Sequence, residues 1–246
     1  MKTLLLCDME NIKETSTICA KNNLCLNADS FRHYDLLNSQ PHLLKEYLMD
    51  YKNVEICSFH GPITDMIFEN GYIELAKRKF EFAYTISQKI NCKNIVLHNG
   101  YVPQTGSPES WVNSATELWG KFLLHKDTET IFYLENNLEN NPDVIINLIE
   151  NVGRNNLKMC LDIGHANVFS DMEIPKWIEI SHKYIGFVHL HNNNGKIDRH
   201  NGLGNGTINM LEACNALEQY CPDAIWALET VDLEESVEWL KNNGFY

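Results

Sequence analysis

A single-domain (β/α)₈ TIM barrel is the fold class this chain predicts, on three observations. Short apolar runs rich in Val, Ile, Leu and Phe alternate with segments of helical spacing through to the last residue. Eight of each are found in 246 residues, the ordinary size of a closed parallel barrel. A doubly wound open sheet would carry a phosphate-binding glycine fingerprint after its first strand, and here that turn reads CDMENIKE.

Strands are expected over residues 3–8, 24–28, 54–60, 94–99, 131–136, 157–162, 185–190 and 224–229. Helices are expected between them, over 12–21, 41–50, 66–90, 108–125, 142–151, 175–183, 207–219 and 233–242. Ser107-Pro108, Asn141-Pro142 and Thr207 stand where caps belong. An oxygen there takes a backbone N–H left unpaired by the first turn, and proline suits the first helical position. No linker, repeat or low-complexity stretch divides the chain, so one domain over 1–246 is expected.

Composition narrows the function. Apolar residues make up 44% and charged residues 22%, enough to bury a full core. Twenty Lys and Arg face 33 Asp and Glu, a net charge of -13. Gripping a nucleic-acid backbone needs clustered cations that release counterions, so nucleic acid is not the expected partner. Bound divalent metals can still reverse the local sign. The opening MKTLLLCDMENI meets Asp8 and Glu10 too early for a signal peptide, and no apolar stretch approaches the roughly 20 residues that cross a bilayer. A cytoplasmic protein without a membrane partner is expected. Eight cysteines without a C-x-x-C pair, several inside apolar runs, read as buried reduced thiols.

The chemistry lies at the strand ends. His60 closes SFHGP, His98 VLHNG, Glu135 YLENN, Asp162 and His165 LDIGH, His189 VHLHN, and Glu229 ALETV. In a barrel all these carboxyl edges surround one mouth. Stepping back by two reaches Ala227 and Ile225, Phe187, and Tyr133 and Ile131, residues fit to fill a barrel interior. The loop after the seventh strand adds Asp198 and His200 in DRH, then GLGNG, whose glycines allow tight folding over the mouth. His191 shares the parity of His189, and either could be the donor. His33, His42, His125 and His182 fall on helices or loops and read as surface residues. Five imidazoles and four carboxylates suit Zn²⁺, with Mn²⁺ as the other candidate. Nine donors exceed one tetrahedral ion, so one to three ions are expected.

Together HGP, LHNG, LENN, LDIGH, HLHN, DRH…GLGNG and ALET resemble the xylose isomerase-like TIM barrel superfamily over nearly the whole chain. The resemblance implies one of two sites. Its sugar and sugar phosphate epimerase branch places one metal on residues matching Glu135, Asp162, His189 and Glu229. Its endonuclease IV branch places three zincs on nine, matching His60, His98, Glu135, Asp162, His165, His189, Asp198, His200 and Glu229. Against DNA repair, HGPITD offers Ile63 and Asp65 where that branch has an intercalating aromatic residue, and the loops after the first two strands look short. Basic residues near the mouth are few: Lys13, Arg32, Lys196 and Arg199. Asparagines at 136, 137, 192, 193, 194, 201 and 205 suit a small polyhydroxylated ligand, although turn asparagines also serve backbone.

The expectation is therefore a metal-dependent isomerase or epimerase acting on a small sugar or sugar phosphate. Glu135 and Glu229 would move the proton on carbon, each holding the ion through one oxygen. His165 would orient a hydroxyl, Asn136 would bind substrate, and Arg199 or Lys196 would hold a phosphate if the substrate carries one. The alternative is a trinuclear-zinc phosphoesterase of the endonuclease IV type, in which Glu135 bridges ions. A barrel that binds sugar without turning it over would leave the donors unexplained.

Overall fold

The structure is a computed structural model describing residues 3–9, 11–51, 54–66 and 72–246. Its eight strands are β1 (Leu4–Cys7), β2 (Cys25–Ala28), β3 (Ile56–His60), β4 (Asn94–His98), β5 (Ile131–Glu135), β6 (Leu157–Asp162), β7 (Ile185–Leu190) and β8 (Ile225–Leu228). They form a closed parallel ring in chain order, with β8 pairing back onto β1. Both faces of such a ring are covered, which is why the strands read as continuous apolar runs.

Ten α-helices surround the ring among the described residues: α1 (Ile12–Asn22), α2 (Tyr34–Ser39), α3 (Pro41–Asp50), α4 (Tyr72–Ile90), α5 (Pro108–Leu123), α6 (Asp143–Val152), α7 (Ile163–Phe169), α8 (Ile174–Ser181), α9 (Met210–Tyr220) and α10 (Leu233–Asn242). Part of the expected 66–90 helix, and Glu10, lie outside the described residues. Ser107 caps α5 through the Ser110 N–H at 3.1 Å, and Asn141 accepts from Asp143 at 3.0 Å. Thr207 is no cap. Its hydroxyl donates to Asn193 O at 3.2 Å, and Asn209 begins α9 instead by accepting from Glu212.

Helices α2 and α7 escaped the periodicity reading because each is under two turns, too short for a repeating apolar face. No described helix is long and apolar enough to cross a membrane. All eight cysteines are free, six of them buried.

Two apolar clusters result. The larger lies between ring and helices, while the smaller fills the ring with Leu5, Cys7, Val96, Tyr133, Cys160, Phe187 and Ala227. Residues two steps behind the mouth donors thus form the plug beneath them.

Two ladder irregularities set this alternation. Leu26 pairs with Ile56 but Asn27 with Ser58, so Cys57 is an extra residue in β3. That bulge sends Phe59 outward into the helix layer and His60 inward to the mouth. Likewise Met159 pairs with Ile185 but Cys160 with Phe187, which makes Gly186 the extra residue in β7. A Cβ on Gly186 would lie 2.7 Å from Lys158 Cδ and 2.9 Å from Tyr133 Cε1, so the strand passes there only without a side chain.

The Phe187 ring is fully buried and packs at 5.2 Å on Tyr133 beneath the mouth. Phe187→Ala is expected to cost about 3–5 kcal/mol in urea unfolding. A cost below about 1 kcal/mol would show that this ring does not support the barrel.

Candidate metal centre

Strand register delivers the donors to one rim. His98 lies across from Glu135, and Asp162 across from His189. Asp162 also caps α7 by accepting the His165 N–H at 2.7 Å, which places His165 one turn further on. The last two donors arrive by loop. Asn192 and Asn201 exchange backbone hydrogen bonds of 3.0 and 2.8 Å, closing a hairpin that carries Asp198 and His200 over the mouth. His200 adopts φ 48°, an uncommon conformation for a non-glycine residue, and its Nδ1 is anchored at 2.9 Å to Glu229 O.

All nine expected donors fall into three groups whose donor atoms lie within 4.8 Å of one another. His60, His98 and Glu135 form one; Glu135, Asp162, His189 and Glu229 a second; His165, Asp198 and His200 a third. Glu135 joins the first two. Its Oε2 lies 3.0 Å from His60 Nε2 and 3.7 Å from His98 Nε2, while Oε1 lies 3.2 Å from His189 Nδ1 and 3.4 Å from His165 Nδ1.

Metal ligation is tested by the outward nitrogens of the rings. His60 Nδ1 lies 2.7 Å from Gly61 O, His165 Nδ1 2.8 Å from Asn136 O, and His200 Nδ1 2.9 Å from Glu229 O. A carbonyl accepts only, so each Nδ1 carries hydrogen and each neutral ring keeps its Nε2 lone pair for an ion. His98 has the opposite polarity, because Asn137 Nδ2 donates to its Nδ1 at 3.0 Å and leaves the neutral ring's hydrogen on Nε2. Buried Asp198 Oδ1, Glu229 Oε2, His189 Nε2 and His191 Nδ1 have no hydrogen-bond partner. Glu229 Oε2 is 3.0 Å from His189 Nδ1, yet the angle is wrong for a hydrogen bond. Distance alone makes this an ion pair, and the missing angle is the more telling fact, because donors around an ion crowd together without bonding to one another. Orphaned buried polar atoms are costly, and a divalent ion would satisfy Asp198 Oδ1, Glu229 Oε2 and His191 Nδ1. The nitrogen and oxygen set fits zinc or manganese.

Electrostatics agree. Burial pushes the Glu135 carboxyl up, but His189 and His98 hold it well below the usual range. Asp162 follows the same pattern through His165 and His191. Burial pulls His200 down, yet its hydrogen bond to Asp198 and the nearby Glu229 bring it to about 9. Against burial, which pulls them down, neighbouring carboxylates likewise raise His165 and His189, whereas burial lowers His98 to about 4.

The expected substrate contacts divide. Arg199 and Lys196 are exposed on the loop that carries Asp198. Asn136 Nδ2 donates to Asp162 O at 2.9 Å and its Oδ1 accepts from Asp162 N at 2.8 Å, so the amide ties β5 to β6. Asn192, Asn193, Asn194 and Asn201 likewise hold backbone within the mouth loops. Arg32 is drawn to Asp29 at 3.0 Å.

Sequence reading missed Asp29, a buried carboxylate one residue past β2 whose Oδ1 has no hydrogen-bond partner. Continuing the parity of Asn27, which faces Ser58 inside the ring, would have found it.

Because metal must displace protons, loading the chelator-stripped protein at pH 7 is expected to release them, with calorimetric heats that vary with the buffer's ionisation enthalpy. Affinity should rise between pH 6 and about 9, where His200 loses its proton. Heats independent of buffer would mean that the imidazoles do not bind the ion.

Known proteins share this fold. The chain is 32% identical over 162 residues to the uncharacterised protein MJ1614 of Methanocaldococcus jannaschii, covering 62% of this chain and 62% of that protein's length. The TTHB071 protein of Thermus thermophilus, solved after soaking with ZnCl2, superposes with a TM-score of 0.78 at 22% identity, covering 98% of this chain and 97% of that one. A D-tagatose 3-epimerase-like protein gives 0.77 at 22% identity, covering 99% and 97%. At such identities the two structures speak for the fold. Residues 20–243 match the model of the xylose isomerase-like TIM barrel family, and the chain belongs to that family.

Proposed function

We propose that this chain is a divalent-metal-dependent enzyme that hydrolyses a phosphate ester of a small polyhydroxylated substrate at a multinuclear centre. One observation carries the reading: Glu135 sets one oxygen among His60 and His98 and the other beside His189. Proton transfer on carbon needs a carboxylate oxygen facing substrate. A carboxylate engaged on both sides instead suits a bridge between ions. The isomerase or epimerase expected from sequence, toward which the solved neighbours point, is kept as the second reading.

Zinc or manganese held by the three groups would supply an activated water and neutralise phosphoryl charge. Three divalent ions carry more charge than Glu135, Asp162, Asp198 and Glu229 cancel, so the mouth would attract an anion despite the acidic surface. Arg199 and Lys196, exposed beside Asp198, would hold the phosphate as it arrives. The net charge of -13 favours a small ester over a nucleic-acid track.

Epimerisation is the second reading. Glu229 favours it, because its buried Oε2 has no hydrogen-bond partner beside the four-donor group and could take a proton from carbon. The likeness to a D-tagatose 3-epimerase-like protein points the same way.

Metal analysis of protein purified without chelator is expected to find about three ions per chain. Hydrolysis of p-nitrophenyl phosphate should vanish with chelator and return with zinc or manganese. Glu135→Gln should lower it by more than about 100-fold, and an abasic-site duplex should stay uncut. One ion per chain, with solvent deuterium entering ketohexoses and Glu229→Gln abolishing that exchange, would replace hydrolysis by epimerisation.

A further inference from the structure

His189 and His191 share a strand parity, and the structure uses both. His189 stands in the four-donor group, whereas His191 forms a further group with His200 and Glu229 and is fully buried, its ring stacked at 4.1 Å and 16° on His200. Its Nε2 lies 3.1 and 3.2 Å from the two oxygens of Asp162, so it donates there. The other nitrogen, Nδ1, is buried without a hydrogen-bond partner. It faces Asp198 Oδ1, also buried and unpartnered, at 3.7 Å. That separation is too long for a hydrogen bond, and it suits two donors on one ion.

The chain makes room for this ring. A Cβ on Gly164 would lie 1.9 Å from His191 Cε1 and 2.4 Å from Nε2. The glycine of LDIGH therefore sits early in α7, where its poor helix propensity is a cost, because the His191 ring occupies the space a side chain would need.

We propose that His191 is a tenth donor of the centre, binding an ion through Nδ1 together with Asp198. A ligating imidazole commonly gives its second N–H to a carboxylate, and Asp162 receives it here. His191 then couples two donor groups: it shares an ion with Asp198 and orients Asp162, a donor of the four-residue group. The nine-residue set matched by resemblance leaves this position out. The inference rests on the metal-centre reading above.

Cobalt substitution tests it without an activity assay. In the Co²⁺-loaded protein each ligating imidazole with a protected N–H gives a strongly shifted, exchangeable proton resonance. His191→Gln can still donate to Asp162 but removes the ring. It is expected to lose one such resonance and to bind one ion at least about tenfold more weakly. Asp198→Asn, a change in the partly exposed loop, should weaken the same ion. Gly164→Ala should displace the ring and reproduce the loss with residue 191 unchanged. A full set of resonances and wild-type affinities in His191→Gln would overturn the tenth donor while leaving the centre standing. Failure of the wild-type protein to take up cobalt would remove both.

Discussion

Four carboxylates in one mouth, buried Glu135, Asp162 and Glu229 with half-buried Asp198, set the constraint around which this barrel is arranged. Like charges at such separations repel strongly, and burial raises the cost of each. The fold meets this with imidazoles rather than with lysine or arginine. Six histidine rings face the four acids, and most present a nitrogen whose opposite edge is fastened to a carbonyl or carboxylate. Imidazoles can carry protons or yield lone pairs to a cation, so the cluster tolerates both conditions. A guanidinium in their place would neutralise the acids permanently and leave no donor for an ion.

Support for that cluster comes from below and from the side. Tyr133, Cys160, Phe187 and Ala227 plug the ring directly under Glu135, Asp162, His189 and Glu229, so packing of the plug fixes the height of the donors. The bulges at Cys57 and Gly186 belong to the same scheme, since each shifts the alternation that decides which side chains face inward. Laterally, asparagines act as backbone braces. Asn136 ties β5 to β6 at the level of Asp162, and Asn193 reaches from the seventh-strand loop to Gly164 O at 2.9 Å. Rigid donors of this kind suit a preorganised centre, in which little reorganisation accompanies the chemistry.

Function follows from how Glu135 is shared. The resemblance to a whole family left two chemistries open, and both need an acidic residue at that strand end. The choice turns on whether its second oxygen faces an open mouth or another set of imidazoles. Here it faces His60 and His98, and the proposal of hydrolysis rests on that position. Glu229, with one buried oxygen unpartnered, keeps the other chemistry within reach of the same scaffold.

Much of this was legible in the linear chain. Eight apolar runs, their spacing and their strand-end acids and histidines determined the barrel and the mouth, because alternation and amphipathic periodicity are local properties. The plug residues followed from counting back by two. What only tertiary structure decided was set by long-range pairing: the two bulges, the separate places of His189 and His191, the two-sided position of Glu135, and the use of Asn136 on backbone. Asp29 was hidden for a similar reason, since its importance depends on His60, a residue remote in the chain that strand pairing alone brings to its side. Side-chain direction at a strand end depends on register and ring closure, and no stretch of sequence carries those alone.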